Sequence, residues 1–339
     1  MAKNIKRVSS KDVAREAGVS QSTVSRVFND SGIPVSEDKK KLVLETADRL
    51  GYRPSMIARS LNQQRTNIIG LLVKNFSNQF YIDALRLFTE KFQQSGYSIM
   101  LFNINTEDRV EADLIKALEY QVDGVVITSA TLESNLVGQF QSFGTPAILF
   151  NRLNDGQSVN AVCCDNVAGG ETVADYLIDK GHKELVYIAG EKGSSTNRDR
   201  MKGFYNRASE LGYGDIFMIE GEFFTYDAGF HAAEKLLSSK RTFDAVFCPS
   251  DEMALGFMDY IYHKSDLSIP DDFSLVGFDG ITVPNEEIYP LTTYEQPMKR
   301  MIERTIDFMI DKIEDFTPDP VSYLFNGKIL ERGSVKDRN

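Results

Sequence analysis

Residues Val8 to Asn29 read Val-Ser-Ser-Lys-Asp-Val-Ala-Arg-Glu-Ala-Gly-Val-Ser-Gln-Ser-Thr-Val-Ser-Arg-Val-Phe-Asn. Ser9 and Ser10 can accept hydrogen bonds from the first backbone N–H groups of a helix over 11–17. Gly18 follows that helix at the point where a left-handed residue commonly ends one. Ser20 is placed to cap a second helix. The stretch therefore predicts two short helices joined by a tight turn.

The spacing of the side chains gives the pair one apolar face and one polar face. The apolar face is formed by Val13, Ala14, Ala17, Val24 and Val27. The polar face carries Gln21, Ser22, Ser25 and Arg26. Arginine suits the major-groove edge of guanine and glutamine that of adenine, so this face can read DNA. The alternative is a solvated face of an ordinary helical protein.

A longer set of residues is more specific. Asp12-Val13-Ala14, Ala17 to Ser20, Thr23 to Val27 and Asn29 together resemble the DNA-binding headpiece of the LacI/GalR family of bacterial transcription regulators. The resemblance implies a palindromic double-stranded operator bound by a homodimer, with a tetramer as the alternative. The DNA-contacting residues expected here are Ser10, Ser20, Gln21, Ser22, Thr23, Ser25, Arg26, Asn29, Tyr52, Ser55, Ala58 and Leu61.

A third helix is predicted to follow Ser36, with an apolar stripe of Val43, Leu44, Ala47 and Leu50 and an end at Gly51. Residues 55–62 then offer only one or two helical turns, too few for a stable isolated helix. In the family the matching segment is a hinge helix that orders on DNA and inserts a leucine into the minor groove. Leu61 stands at that leucine's place, although a plain linker is the alternative.

Charge separates the chain into two parts. Residues 1–65 hold 13 Lys and Arg against seven Asp and Glu, a net charge of +6, whereas the remainder holds 25 against 42, a net charge of −17. A basic module joined to an acidic one is expected if only the first part contacts phosphates. There is no apolar leader or membrane-length run, so we expect a cytoplasmic protein. The three cysteines lack metal-ligand spacing, and we expect neither a metal nor a cofactor.

From Ile68 onward, apolar strand-like runs alternate with amphipathic helical segments, which predicts buried parallel sheets. Eight strands are expected, four in each of two sheets, with 159–165 as a crossing point. The predicted fold is a small all-α helix-turn-helix domain followed by an α/β core of two doubly wound parallel-sheet subdomains. The eight predicted strands are 68–73, 98–103, 124–128, 147–150, 185–189, 217–220, 245–248 and 275–278.

This core resembles the periplasmic-binding-protein-like core, type I, of the same family. The resemblance rests on Asp165-Asn166, Gly181-His182, Ser250-Asp251, Val276 to Asp279 and Gln296-Pro297. We expect a DNA-binding domain over 1–54, a hinge over 55–65, a core over 66–333 and a tail over 334–339. Subdomain 1 is expected to comprise about 66–162 plus 293–320, and subdomain 2 about 163–292 plus 321–333.

Facing sheets of this kind bind ligands between the carboxyl ends of their strands. Arg200 and Asp251 are the strongest ligand candidates there, since a guanidinium and a carboxylate both hold sugar hydroxyls. Asn151 departs from the family, where Asp-Arg is usual. Lys192 and Arg198 could favour an acidic ligand, or could be surface residues. The full set of candidates is Phe80, Tyr81, Arg152, Arg200, Phe224, Asp251 and Asp279.

These observations favour a transcription regulator, most simply a repressor of carbohydrate-related genes, controlled by a sugar, sugar acid or sugar phosphate. A sugar receptor without DNA function is the alternative, which the basic headpiece disfavours. No nucleotide-binding, hydrolase or zinc-protease motif is present, and the three histidines are far apart in sequence. An enzyme is therefore not expected.

Overall fold

The computed structural model describes residues 8–28, 34–53, 65–73, 78–103, 115–128, 140, 142–153, 159–221, 223–283, 285–317 and 319–339. The chain divides into two compact units, Met1–Asn67 and Ile68–Asn339. Four of the predicted DNA contacts lie outside the described residues, as does all of the predicted hinge except Arg65. These four are Asn29, Ser55, Ala58 and Leu61.

The first unit contains the predicted helices α1 (Ser10–Glu16), α2 (Gln21–Phe28) and α3 (Glu37–Leu50). Ser9 Oγ accepts from the N–H of Asp12 at 3.4 Å, and the Asp12 carboxylate accepts from the N–H of Ser9 at 3.1 Å. Gly18 adopts a φ of +64° in the turn. Ser20 Oγ then accepts from the N–H of Thr23 at 3.1 Å and so caps α2.

The three helices share one small core. On α3, Thr46 is buried, whereas Leu44, which was predicted to belong to the apolar stripe, is 43% exposed. The prediction of Leu44 was wrong because Val43 is fully buried and its next residue points about 100° away around the helix. The buried residues of this core are Val13, Ala14, Ala17, Val24, Val43 and Ala47.

The second unit is built on twelve strands in its described part: β1 (Ile68–Val73), β2 (Ser98–Asn103), β3 (Gly124–Ile127), β4 (Ala147–Phe150), β5 (Ala161–Cys164), β6 (Leu185–Ile188), β7 (Phe217–Ile219), β8 (Ala245–Phe247), β9 (Ser274–Asp279), β10 (Thr292–Glu295), β11 (Ser322–Phe325) and β12 (Lys328–Leu330). They form two six-stranded sheets, in the orders β11-β5-β4-β3-β1-β2 and β12-β10-β9-β8-β6-β7. All pairings are parallel except β10 with β12.

Six helices of the second unit have bounds within the described residues: α4 (Gln79–Gln94), α5 (Asn166–Asp179), α6 (Ser195–Glu210), α7 (Tyr226–Ser238), α8 (Asp251–Lys264) and α9 (Met298–Glu314). Helices α4 and α9 pack with the first sheet, and α5 to α8 with the second. Each central strand is an almost uninterrupted apolar run, because helices cover both faces of a parallel sheet. No helix of the described ranges is long and apolar enough to span a bilayer.

The strand count and the subdomain boundaries differ from the prediction. Residues 161–164, expected at a crossing, form β5 in the first sheet, and 292–295 form β10 in the second. Residues 322–330, which are not among the eight predicted strands, form two strands, of which β11 belongs to the first sheet and β12 to the second. Strand β10 was not predicted because its sequence is not an apolar run. Its threonines can be buried because the hydroxyl of Thr292 accepts from the N–H of Arg332 and that of Thr293 donates to Asp251.

Residues 334–339 are packed against the second subdomain and are not the separate tail that was predicted. Ser334 is fully buried, and its Oγ donates to the carbonyl of Leu275 at 2.6 Å. The N–H of Lys336 donates to Ser274 Oγ at 2.9 Å, and that of Arg338 donates to the carbonyl of Lys180 at 2.8 Å. These bonds make the segment part of the core, which its charged sequence did not reveal.

Helices α7 and α8 cross with their backbones in close contact. A Cβ atom added to Gly229 would lie 1.9 Å from the carbonyl oxygen of Met253, and one added to Gly256 would lie 1.9 Å from that of Tyr226. Only glycine permits such an approach, because both obstacles are backbone atoms that cannot rotate away.

We therefore expect Gly229→Ala to lower the stability of the second unit by about 1–3 kcal/mol, because the two helices must move apart. Gly214→Ala is the matched control, since a Cβ there meets no atom within 4 Å. Differential scanning calorimetry of both variants gives the comparison. Equal melting temperatures for the two would contradict the close helix contact.

Candidate functional site

The first candidate site is the outward face of α2. Gln21, Ser22 and Arg26 are exposed, while Thr23 and Ser25 are half-buried. Gln21 Nε2 donates to Ser10 Oγ at 3.1 Å, and the hydroxyls of Ser20 and Ser22 lie 2.7 Å apart. The face is therefore a set of polar side chains held against one another on one side of the helix. These are the groups that would contact base edges.

Tyr52, also predicted to contact DNA, lies at the end of α3. Its ring packs edge-on against Phe28 with 5.5 Å between the centroids, and its N–H donates to the carbonyl of Ala47 at 2.8 Å. Tyr52 thus supports the packing of α2 on α3. Its side chain is half-buried, and a contact between Tyr52 and a DNA phosphate stays a prediction.

The second candidate site is a cavity between the two sheets of the second unit. Its lining residues follow the carboxyl ends of β1, β4, β6, β7, β8 and β9, where open parallel sheets bind ligands. The volume is about 30 Å³, far below the roughly 300–1,000 Å³ typical of ligand pockets. The two halves are therefore closed on one another. The lining residues are Asn78, Phe80, Tyr81, Asn151, Arg152, Thr196, Arg200, Phe224, Ser250 and Asp279.

Arg200 lies in the second turn of α6. Its guanidinium is buried: Nε donates to Asn166 Oδ1 at 2.8 Å, and Nη1 donates to the carbonyl of Pro249. The guanidinium carbon lies 3.7 Å from the centroid of Phe278. Several protein groups thus fix Arg200 in the wall of the cavity.

Asp279 faces Arg200 with 3.4 Å between Oδ1 and Nη2. Gln296 Nε2 donates to the same oxygen at 2.7 Å. Burial raises the pKa of Asp279 to about 7, against the opposing effect of Arg200. Its φ of +132° is strained for a residue with a side chain, a cost that tends to occur at ligand sites.

Asn151 and Arg152 follow β4 from the other subdomain. Arg152 Nη1 donates to Ser194 Oγ at 2.6 Å and to Thr196 Oγ1. Both residues are buried, yet Asn151 Oδ1 and Arg152 Nε have no hydrogen-bond partner among the described residues. Unpaired buried polar atoms are costly and call for a specific reason.

Aromatic side chains form the rest of the wall. Phe80 and Tyr81 pack edge-on, with centroids 5.4 Å apart, at the start of α4. The ring of Phe224 lies 6.0 Å from the guanidinium carbons of both Arg152 and Arg200. The three aromatic ligand candidates are thus present at the cavity, and Phe224 is the one beside both arginines.

Asp251, a leading candidate from the sequence, does not line the cavity. Its fully buried carboxylate accepts from the N–H groups of Gly280 and Ile281 at 2.8 and 2.9 Å, and from Thr293 Oγ1 at 2.6 Å. Burial raises the pKa of Asp251, while these donors oppose the shift. The carboxylate therefore holds the loop after β9 in place. Lys192 and Arg198 are exposed and do not line the cavity either.

Sequence reasoning missed four lining residues: Asn78, Asn151, Thr196 and Ser250. Asn78 and Ser250 are helix N-caps whose side chains accept from the N–H groups of Phe80 and Met253. Asn78 also donates through Nδ2 to the carbonyl of Phe224 at 3.4 Å across the cavity. Asn78 and Ser250 could have been predicted as lining residues, because a helix N-cap that follows a parallel strand lies at the carboxyl edge of the sheet.

Further hydrogen bonds join the two subdomains around the cavity. The N–H of Gln79 donates to Glu252 Oε2 at 3.5 Å, and that of Leu153 donates to Ser195 Oγ at 3.3 Å. With the bonds of Asn78 and Arg152, they link the start of α4 and residues 152–153 to the opposite subdomain. Within the described ranges, no group of three or more His, Cys, Asp or Glu residues is arranged to hold a metal ion.

Comparison with known proteins places both units in established families. The profile described as periplasmic binding proteins and sugar binding domain of LacI family matches residues 66–324, and that of bacterial regulatory proteins, lacI family, matches residues 10–55. The transcriptional repressor PurR of Pasteurella multocida is 31% identical, over 97% of this chain and 98% of its own length. The ribose operon repressor of Halalkalibacterium halodurans is 32% identical over 96% of each protein.

Among solved structures, a lac repressor dimer bound to operator and an anti-inducer superposes with a TM-score of 0.88. The alignment covers 98% of this chain and 100% of that chain at 23% identity. At that identity the likeness demonstrates a common fold and nothing more.

The raised pKa of Asp279 predicts a pH dependence of stability. Native Asp279 stays protonated up to about pH 7, whereas the unfolded residue ionises near pH 4. Between these values the native state binds more protons, so this residue makes stability fall as pH rises. The melting temperature of Asp279→Asn minus that of the wild type should therefore increase from pH 5 to about 7.5 and then level off. Calorimetry across this range measures it.

The control for this series is Asp266→Asn, at an exposed carboxylate. Its difference from the wild type should stay constant over the same pH range. A constant difference for Asp279→Asn as well would rule out the proposed protonation.

Proposed function

The chain belongs to the LacI family of bacterial regulatory proteins, and we propose that a hydroxylated small ligand, held in the cavity between the two sheets, controls its affinity for operator DNA. The predictions of family, of fold class and of a DNA-binding transcription regulator with a small-molecule effector are confirmed by these matches. Its relatives are transcription regulators rather than enzymes. The alternative of a receptor without DNA function is not favoured, because residues 10–55 match the regulatory-protein family.

The observation that carries the proposal is the set of hydrogen bonds across the cavity. Arg152, Asn78 and Leu153 each bond to the opposite subdomain beside the lining residues. A ligand that enters must first separate these groups and then bond to both subdomains. It therefore has different affinities for the open and closed arrangements, which is what a ligand needs in order to shift the equilibrium between them.

The direct role in DNA reading is proposed for the exposed face of α2. Gln21, Ser22 and Arg26 would contact base edges, while Ser10, Ser20, Thr23 and Ser25 would position them or contact phosphates. The hinge residues Ser55, Ala58 and Leu61, with Asn29, are proposed from the family resemblance alone. The protein would bind as a homodimer, because a palindromic operator mirrors a two-fold axis.

We also propose that the cavity binds its ligand without turnover. Its polar lining consists of amides, hydroxyls, two arginines and one carboxylate. The carboxylate, Asp279, is in contact with Arg200. A protein that acts on operator DNA is expected in the cytoplasm.

The DNA proposal is tested by binding-site selection. We expect Gln21→Ala to relax base preference at one or two positions per half-site, at a cost of about 1–3 kcal/mol on the preferred sequence. Lys39→Ala, an exposed cation on α3, should instead weaken binding to all sequences alike. If Gln21→Ala selects the same consensus as the wild type, α2 does not read the bases.

The ligand proposal is tested with two adjacent phenylalanines. A thermal-shift screen of sugars, sugar acids and sugar phosphates would first supply the strongest stabilising compound. Phe224→Ala should weaken its binding about tenfold, because the ring beside both guanidiniums is lost. Phe223→Ala is the control, as Phe223 is exposed and does not line the cavity.

Operator affinity without the compound should stay unchanged in both variants, since neither residue belongs to the first unit. Equal calorimetric affinities of Phe223→Ala and Phe224→Ala for the compound would place its site outside this cavity.

A further inference from the structure

The side chain of Arg152 brings a positive charge into the cavity. Arg152 is 7% exposed, and among the described residues no carboxylate lies within ion-pair distance of it. Its partners are the neutral hydroxyls of Ser194 and Thr196. A buried cation normally has an anionic partner, because desolvation costs several kcal/mol. The positive charge of Arg152 would therefore favour the binding of a negatively charged ligand.

Two buried atoms without hydrogen-bond partners among the described residues indicate which groups a ligand would have to present. Arg152 Nε is a buried donor and Asn151 Oδ1 a buried acceptor, and neither has a partner among the described residues. Both side chains line the cavity from adjacent positions. A ligand that satisfies both must present an acceptor to Arg152 and a donor, such as a hydroxyl, to Asn151.

Three helices also begin at the cavity. Asn78 caps α4, Ser194 precedes α6 and Ser250 caps α8. The N-terminus of a helix carries a partial positive charge and free N–H groups, which favour anions. At α6 the hydroxyl of Ser194 makes no capping bond to the first turn. The backbone potential thus has the same sign as the charge of Arg152.

The carboxylates near the cavity do not cancel this charge. Asp279 lies 3.4 Å from Arg200, and burial raises its pKa to about 7, so it offsets at most one of the two arginine charges that line the cavity. Asp251 is bonded to backbone N–H groups and Thr293 beneath the cavity. Glu252 accepts from the N–H of Gln79, and Asp199 is paired with Arg198. The lining residues alone therefore carry a net positive charge.

We propose that the effector is a hydroxylated organic anion whose carboxylate or phosphate binds between Arg152 and the first turn of α6, with a neighbouring hydroxyl donating to Asn151. This inference rests on the proposed function and narrows the ligand to acids. A carboxylate or phosphate can accept from Nε and Nη2 of Arg152 together, the fork geometry that guanidinium favours. The charge of the effector would then set the affinity, and its hydroxyls would set the orientation.

The experiment compares matched neutral and acidic probes on the full-length protein. Glucuronate, gluconate and glucose 6-phosphate, together with the corresponding acids and phosphates of other sugars, are measured against the neutral sugars by calorimetry at millimolar concentration. At least one acid or phosphate should bind about tenfold or more tightly than its neutral counterpart. Acetate and inorganic phosphate test charge without hydroxyls and should bind weakly. The carboxylate and phosphate arms distinguish the two sources of charge.

Two variants test the residue. Arg152→Met keeps the length of the side chain and removes its charge, whereas Arg198→Met removes an exposed arginine of α6. Arg152→Met should remove the preference for the acid, and Arg198→Met should keep it. Without ligand, Arg152→Met should melt at the same temperature as the wild type or higher, because an uncompensated buried charge is gone.

The proposal is overturned if neutral sugars bind as tightly as their acids, if no anion of the panel binds, or if Arg152→Met retains the preference. A melting temperature of Arg152→Met well below that of the wild type, with unchanged acid binding, would show that Arg152 only ties the subdomains together. Operator titrations with the tightest probe separate the two claims. A neutral sugar that alters operator affinity would support the proposed function while refuting an anionic effector.

Discussion

The carboxylate of Asp251 is the interaction on which the second subdomain depends. It is fully buried, and it accepts from two N–H groups of the loop after β9 and from Thr293 on β10. Space for it exists because Gly277 has no side chain, since a Cβ there would lie 2.2 Å from Asp251 Oδ1. One acidic side chain therefore joins the start of α8, the end of β9 and the middle of β10.

The consequences extend to the cavity. The loop that Asp251 holds follows directly after Asp279, so the strained backbone of Asp279 is kept in place by bonds one residue away. Asp279 can then face Arg200 at 3.4 Å. Buried polar and charged groups are costly unless they have partners, and each contact here also holds the next group in place. Arg152, from the opposite subdomain, is the lining cation that has no carboxylate within ion-pair distance among the described residues.

Closure and charge are therefore linked in this fold. The bonds that Arg152 makes to Ser194 and Thr196 cross from one subdomain to the other, so the same guanidinium closes the cavity and faces it. A ligand that occupies its remaining donors would act directly on the contact between the subdomains. In the first unit the described core is a small apolar cluster, and the polar face of α2 is exposed.

The sequence by itself determined the elements with strong local signals. Gly18, Ser9 and Ser20 specify the first helix pair through backbone geometry and capping, and apolar runs such as 68–73 specify the central strands. It also identified six of the cavity residues, because the residues that follow parallel strands meet at one edge of the sheet. Only the tertiary structure decided the role of Asp251, the two-sheet division of residues 322–330 and the packing of 334–339. These depend on which distant groups satisfy a buried carboxylate, hydroxyl or backbone N–H, and no local pattern records the partner of a hydrogen bond between residues far apart in the chain.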